Sequence, residues 1–371
     1  MASTRLEAPG VSNWALGAQL DSSEATGIRY TTIAVVLGID LAAAGGLDEE
    51  GLVVLVRRLA EDGPYAGHLA LPEFEVNLFA DQDSLTVLQR ELASLLGQAS
   101  GSFVTEWLRM YDAYGRDPRQ FAMDAAGNSC GPRTISTAHV VFFSSPDYSA
   151  PPPGFHWLPV YRCLPWEQAI AANGAHARSA VAEMLAEWVG GNEERLRLVR
   201  HSFGAGTVSV GESFALAWNE GLAGERFRLL TRARLVQEAF RDRWGALRDW
   251  ENPLGYFAGE ALAFDHRQVL ADALSLTRDR IKHFPRCLKA VLPEEFTLID
   301  LRYAVMNFLG RTVTKTNFWR LVGRGEFQAL LEPLDKSVLP REKGSGPRAK
   351  LYRFRPEADW AYFEPAIRIP A

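Results

Sequence analysis

The chain has 371 residues, 47% of them hydrophobic and 23% charged, with a net charge of −5, which suits a soluble protein long enough for two cores. Its three cysteines, Cys130, Cys163 and Cys287, have neither a disulfide framework nor paired metal-ligand spacing, which points to a reducing cytoplasm. No stretch approaches roughly 18 consecutive apolar residues, the start lacks a basic-then-apolar leader, and the His residues form no H-x-x-x-H cluster, so no membrane span, secretory signal or histidine metal site is expected.

In chain order, residues 1–28 read as an arm mixed in Gly, Ser and Asp. Residues 30–39, rich in β-branched side chains, are the first strong strand. Residues 42–51 read as a loop and 52–58 as a second strand, the start of a mixed sheet. Residues 84–96 are helical, with Leu85, Leu88, Leu92, Leu95 and Leu96 at helical spacing and Gly97 closing the helix. Pro151-Pro152-Pro153 marks a stiff connector over 147–154. One helix follows over about 176–200, with Val181, Met184, Leu185, Trp188 and Val189 on one face. Another runs over about 225–250, with Leu229, Val236, Phe240, Trp244 and Leu247. Gly204-Ala205-Gly206 between them is a turn, too short a glycine run for a phosphate loop. A further helix over 265–284 carries Val269, Leu270, Ala273, Leu276 and Ile281.

The region 296–356 shows a more specific pattern. Thr297 is placed to cap, and Gly310 to end, one short amphipathic helix. The connection Arg311-Thr312-Val313 leads to a second helix over 314–322, with Phe318, Leu321 and Val322 on its apolar face and Lys315, Thr316, Asn317 and Arg320 directed away. That is a helix-turn-helix. Residues 350–355 alternate as a strand, Leu351, Arg353 and Arg355 against Tyr352 and Phe354. With residues 330–334 it flanks a Gly-rich basic loop, which makes a wing. From residue 280 to 356 there are 16 Lys/Arg against 7 Asp/Glu, a balance of +9, so the remainder of the −5 chain carries −14. Such asymmetry is a footprint for phosphate contacts. The candidate DNA contacts are Arg311, Thr314, Lys315, Thr316, Asn317, Arg320, Arg324, Arg341, Lys343, Arg348 and Lys350. A winged helix that binds protein through a solvated basic surface remains the alternative. Residues after Pro356, with Trp360, Tyr362 and Phe363, read as a packed tail.

Three blocks, Phe296-Thr297-Leu298, Lys315-Thr316-Asn317-Phe318-Trp319-Arg320 and the run from Gly346 to Phe354, resemble in order and spacing the C-terminal domain of Nudix-related transcriptional regulators of the NrtR type. The resemblance implies an α+β protein. It would pair an N-terminal degenerate Nudix-like α/β/α sandwich, interrupted by a helical insertion, with a C-terminal winged helix-turn-helix. Upstream, Gly67-His68-Leu69-Ala70-Leu71-Pro72 resembles the approach to a Nudix box, and Arg90-Glu91-Leu92 with Gly97 its end. A working box places two adjacent glutamates where this chain has Ser94 and Leu95, and Gln82 and Val76 replace the upstream glutamate and glycine. One carboxylate cannot hold Mg²⁺, which needs several hard oxygens. Neither metal, catalytic residues, required cofactor nor enzyme activity is therefore expected.

Residues 109–119, ending Arg116-Asp117-Pro118-Arg119, resemble the family's aromatic-rich turn, residues 132–143 the strand that follows it, and Trp157-Leu158-Pro159-Val160 the final Nudix strand. The family's Phe-Asp-His signature comes about a hundred residues late, as Phe264-Asp265-His266, which resembles the longer alphaproteobacterial, NadQ-like form. The implied domains are 29–165 (effector-binding), 166–263 (helical insertion), 264–289 (connecting helix) and 290–371 (winged helix). Arg90, Glu91, Arg116, Arg119, Arg133 and His139 are the expected effector contacts, because guanidinium forks grip phosphate bidentately. The other reading is surface arginines pairing with this half's acids. The implied function is a cytoplasmic, homodimeric repressor of NAD metabolism genes that binds operator DNA and an adenine-nucleotide effector (ADP-ribose, NAD or ATP). The alternatives are a Nudix-type hydrolase of nucleoside diphosphate derivatives with an accessory winged helix, and a protein-binding adaptor.

Overall fold

The computed structural model describes residues 27–42, 51–62, 64–99, 103–121, 131–145, 147–210, 213–241, 254–283, 286–323, 326–338 and 348–355. Strand β1 (Ile28–Ile39) is buried on both faces from Thr31 onward, which is why its run is apolar without alternation. It pairs in parallel with β6 (Arg133–Phe142) and antiparallel with β2 (Leu52–Arg58) and β4 (Glu73–Glu75). Antiparallel β5 (Val104–Tyr111) extends the sheet beyond β6, while β3 (Leu69–Ala70) and β7 (Phe155–Pro159) both pair with β2. This is the mixed sheet anticipated, with seven strands.

The two faces of the sheet have different cover. Ala34, Val36, Leu55 and Val141 pack under Leu88 and Leu92 of α1 (Ser84–Leu96). That helix begins and ends where its sequence requires: the Asp83 side chain accepts from Thr86 N, and Gly97 takes φ 63°. Ile33, Val35, Leu37, Val54, Ala138 and Val140 point the other way, into a cluster continuous with the inserted segment and the C-terminal region.

The insertion departs from the expected pair of long helices. After α2 (Val160–Cys163) come α3 (Ala172–Val189) and α4 (Glu193–Phe203), two helices where a single one over 176–200 was expected. Gly190 and Gly191 take φ 50° and 78°, a left-handed break that ends α3, and Asn192 then caps α4. Gly204-Ala205-Gly206 is a turn, but it leads into a short hairpin, β8 (Val208–Val210) and β9 (Ser213–Ala215). The helix expected over 225–250 is α5 (Ala223–Arg232), ended where Arg234 takes φ 59° and followed by a 3₁₀ turn, Gln237–Phe240. Trp244 and Leu247 lie outside the described residues.

Helix α6 (His266–His283) is buried along most of its length, and α7 (Arg286–Val291) follows. Strand β10 (Phe296–Thr297) then enters α8 (Leu298–Leu309), where Thr297 and Asp300 form a reciprocal capping box and Gly310 takes φ 66°. The element was found, but its amphipathic character was not: all ten residues from Asp300 to Leu309 are buried. Asn307 Oδ1 accepts from Gly51 N at 2.8 Å and Leu52 N at 3.2 Å, and the Phe308 ring meets Phe142 at 6.3 Å. The first helix of the helix-turn-helix is thus a core element of the N-terminal half as well.

Helices α9 (Lys315–Val322) and α10 (Glu326–Ala329) lead to β11 (Leu331–Val338) and β12 (Ala349–Phe354), which form a three-stranded sheet with β10 in the order β10-β12-β11. This is the expected winged helix. The alternation along β12 is not as expected, since Leu351 and Phe354 are both buried. The register of β12 against β11 shifts at Leu351, between the pairs Tyr352–Pro333 and Lys350–Ser337, which is where the alternation breaks. The wing loop, with Arg341 and Lys343, and the tail beyond Pro356 lie outside the described residues, as does Arg324.

Candidate functional site

The cationic surface is built on α9. Thr314 caps it, accepting from Asn317 N at 3.3 Å, and Phe318 and Val322 anchor it below. Thr314, Lys315, Thr316 and Arg320 are exposed, and Trp319 is 42% exposed beside them. Asn317 is half-buried, its Oδ1 accepting from Arg320 Nη2 at 3.0 Å. Arg348 and Lys350 are exposed at the start of β12. A short helix that presents Lys, Thr, Asn and Arg near its N-terminus can offer donors and acceptors to base edges. Arg311 is a correction: it turns toward the insertion and pairs with the Glu220 carboxylate, which also takes Lys282 Nζ at 3.1 Å.

The turn before α9 is held from behind. The Tyr161 hydroxyl donates to the Asn307 carbonyl, Arg278 Nε to Phe308 O at 3.0 Å, and Ala169 N to Gly310 O at 2.7 Å. Arg302 Nε donates to Val313 O at 2.7 Å. Arg278 Nη1 also reaches Glu167 Oε2 at 2.7 Å, and Arg226 grips the same carboxylate twice at 2.7 Å. All three side chains are essentially inaccessible. Burial pushes the Glu167 carboxyl up, but Arg226 and Arg278 more than reverse this and hold it at about 2.

The second site lies on the α6 face of the sheet. Glu73 accepts from Thr31 Oγ1 at 2.7 Å, with Arg119 Nη2 at 4.0 Å, and Arg116 clasps Asp265 through Nε at 3.0 Å and Nη2 at 2.7 Å. Arg119 is folded onto Asp117, Nη2 to Oδ2 at 2.6 Å, and lies over the Phe264 ring at 5.4 Å. Phe264 itself takes φ 53°. His266 Nδ1 accepts from Leu71 N at 3.0 Å, so the buried ring is a neutral acceptor there. Burial pulls its pKa down to about 4, against the opposing pull of Glu73 and Asp265. Burial also acts to raise the Glu73 pKa, but Arg29, His266 and Arg119 bring it down to about 2. Two cavities meet at Phe264. One, of about 210 Å³, is lined by residues including Arg57, Leu59, Leu71, Glu73, Arg119 and His266. The other, of about 400 Å³, includes Tyr65, Arg116, Phe227, Arg228, Glu238 and Arg241.

Of the six expected effector contacts, only Arg116 and Arg119 line these cavities. Arg90 stands on α1 across the sheet, pairing with Asp81 at 2.9 Å and Glu91 at 3.0 Å. His139 alternates with Ala138 and Val140 and so faces the α1 side, 3.4 Å from Thr32 Oγ1. Arg133 is exposed and donates to Asp112 O at 3.0 Å. Glu73, Asp265 and His266 line these cavities as well and were not among the expected contacts. The signal for the last two was Phe264-Asp265-His266: Phe264 lines both cavities, Asp265 the larger and His266 the smaller. Glu73, one of two acids in a three-residue strand, gave none.

Comparisons with known proteins address both halves. Residues 289–354 match the NrtR DNA-binding winged helix domain. Among solved structures, the chain is similar to Shewanella oneidensis NrtR complexed with a 27mer DNA, with TM-score 0.48, 16% identity, and coverage of 91% of this chain and 99% of that one. It is also similar to a MutT/nudix family protein from Enterococcus faecalis, with TM-score 0.47, 17% identity and 88% of each chain covered. The NUDIX domain of Shewanella oneidensis NrtR complexed with ADP ribose aligns with TM-score 0.24 and 18% identity, over 37% of this chain and 76% of that one. Comparison with curated proteins found no match.

Proposed function

We propose, with residues 289–354 as an NrtR-type DNA-binding winged helix domain, that the chain is a cytoplasmic transcriptional regulator of NAD metabolism genes. It binds operator DNA as a homodimer and responds to an adenine nucleotide (ADP-ribose, NAD or ATP) held in a Nudix-like half. In this reading residues 29–165 and the insertion 166–263 form the effector-binding part, and 264–289 join it to the winged helix at 290–371.

The observation that carries the reading is helix α6. Its N-terminal end, Asp265 and His266, enters the paired cavities, and Arg278 holds the Phe308 carbonyl at the turn before α9. Twelve residues of helix span about 18 Å. A ligand that competes for Asp265 or moves Phe264 therefore acts on the element that positions α9. The hydrolase alternative needs carboxylates for Mg²⁺, and exposed Ser94 and half-buried Leu95 stand where the family has its glutamate pair. Among the described residues no three His, Cys, Asp or Glu side chains are grouped to hold a metal.

Thermal-shift titration of the full chain with ADP-ribose, NAD and ATP, paired with a Mg²⁺-dependent hydrolysis assay, tests the reading. We expect saturable stabilisation by at least one nucleotide, and turnover far below the roughly 1 per second of ordinary enzymes. Turnover at enzymatic rates, or stabilisation by none of the three, contradicts it.

A further inference from the structure

The winged helix keeps one aromatic side chain in the open. Among its described residues, the large apolar side chains that stay exposed are Trp319, at 42%, and Val338 at the end of β11. The indole of Trp319 meets the buried Phe318 ring edge-on, with centroids 5.7 Å apart and planes at 63°. A tryptophan that becomes covered hides about 150–250 Å², so leaving one in water forgoes a large hydrophobic gain. Single apolar side chains on a surface are ordinary; what singles this one out is its position.

Successive residues of an α-helix turn by about 100°. On α9, Phe318 and Val322 face the core, with Asn317 and Leu321 half-buried beside them. Lys315, Thr316, Trp319 and Arg320 are exposed and fill an arc of about 140° on the side away from the core. Within that arc Trp319 falls between Lys315 and Thr316, so it lies inside the face rather than at its rim. Three of the four side chains there are polar. The match of residues 289–354 to a DNA-binding winged helix domain and the charge balance of +9 over 280–356 point this face at duplex DNA.

The chemistry of the major groove then selects the contact. Lys315 and Arg320 are donors suited to guanine O6 and N7, and Thr316 serves as donor or acceptor. An indole brings a broad apolar surface and a single N–H donor. The apolar feature of the groove is the C5 methyl group of thymine. A phosphate bonded by the indole N–H is the alternative, and it would carry no sequence preference.

We propose that Trp319 is a specificity-determining residue of the DNA interface, reading thymine through its C5 methyl group in the major groove. The inference rests on the reading of α9 as the helix that enters that groove of a preferred duplex. On this basis Trp319 recognises A·T pairs by apolar contact, beside cations that recognise guanine.

The test is a set of binding titrations on the duplex that the full chain selects from a random pool, with each thymidine in turn replaced by deoxyuridine. That exchange deletes the methyl group and leaves every hydrogen-bonding group in place. The wild type should weaken about fourfold at one thymine position, the effect of one buried methyl group. Trp319→Ala should bind the unmodified duplex about tenfold more weakly and lose the response to that deoxyuridine. Its affinity for a random duplex and its salt slope should match the wild type. Trp319→Phe should keep part of the response. Thermal melting first establishes that the variants are folded, and the wild-type scan needs no variant. If no thymine position responds in the wild type, or Trp319→Ala responds as the wild type does, the inference is wrong while the DNA-binding reading survives. Equal losses on selected and random duplexes in Trp319→Ala would likewise overturn it in favour of a phosphate contact. If the chain prefers no duplex, this inference and the reading of α9 fall together.

Discussion

Glu167 is the residue on which three parts of the chain converge. It lies in the insertion, receives Arg226 from α5 and Arg278 from α6, and Arg278 in turn grips the carbonyl of Phe308. Removing one member of a buried charge network leaves the others uncompensated, which typically costs about 3–5 kcal/mol. Glu167→Gln should therefore lower stability by about that much in urea denaturation, whereas Glu295→Gln, which breaks an exposed pair with Lys336, should leave the midpoint in place. Equal losses would mean that the buried network has no special role. His266 predicts a pH dependence. Its folded pKa of about 4 lies below the ordinary 6.5, so the unfolded chain takes up the proton first. The associated stability is complete above pH 6.5 and is lost as pH falls through 4. Denaturation midpoints between pH 7 and 4 should fall steeply in the wild type and less steeply in His266→Asn, whose side-chain oxygen can still accept from Leu71 N. Parallel curves would show that His266 is not the titrating group.

At the scale of elements, α9 and the wing should fail differently. Asn317→Ala or Arg320→Ala removes groups placed for base edges, and should cost roughly 1–3 kcal/mol on the preferred duplex and relax sequence preference. Arg348→Ala, at the exposed start of β12, should weaken preferred and random duplexes alike and reduce the salt slope by about one. Identical sequence profiles and salt slopes for the two kinds of variant would refute this division. The elements read most accurately from sequence were those with their own local punctuation. The bounds of α1 follow from Asp83 and Gly97, and those of α8 from Thr297 and Gly310. The insertion was misread because leucine-type spacing runs across Gly190-Gly191, and only the left-handed turn there splits α3 from α4. The expected effector contacts do not share one face, for a different reason. Arg90 is on α1, which covers one face of the sheet, and Arg116 is in the turn after β5, bonded to Ser136 on the other face; that layering emerges only from pairing between distant strands.

Across the whole molecule, one hydrophobic cluster runs from β1 through the insertion and α6 into α8 and Phe318 of α9. The winged helix does not hang from a linker: Asn307 caps the backbone entering β2, and the α8–α9 turn is tied to Tyr161, Ala169 and Arg278. In such a frame, a change at the cavities reaches α9 through packed elements with little slack. The most direct measurement is selection of duplexes from a random pool by the full chain, followed by titration of the winning and a shuffled duplex with and without ADP-ribose, NAD and ATP. A near-palindromic winner is expected, bound about 10³-fold or more tightly than the shuffled duplex. That preference should shrink by about tenfold or more in Arg320→Ala, and the affinity should be altered by at least one nucleotide. Failure to enrich any sequence, or equal affinity for winner and shuffled duplex, would contradict it.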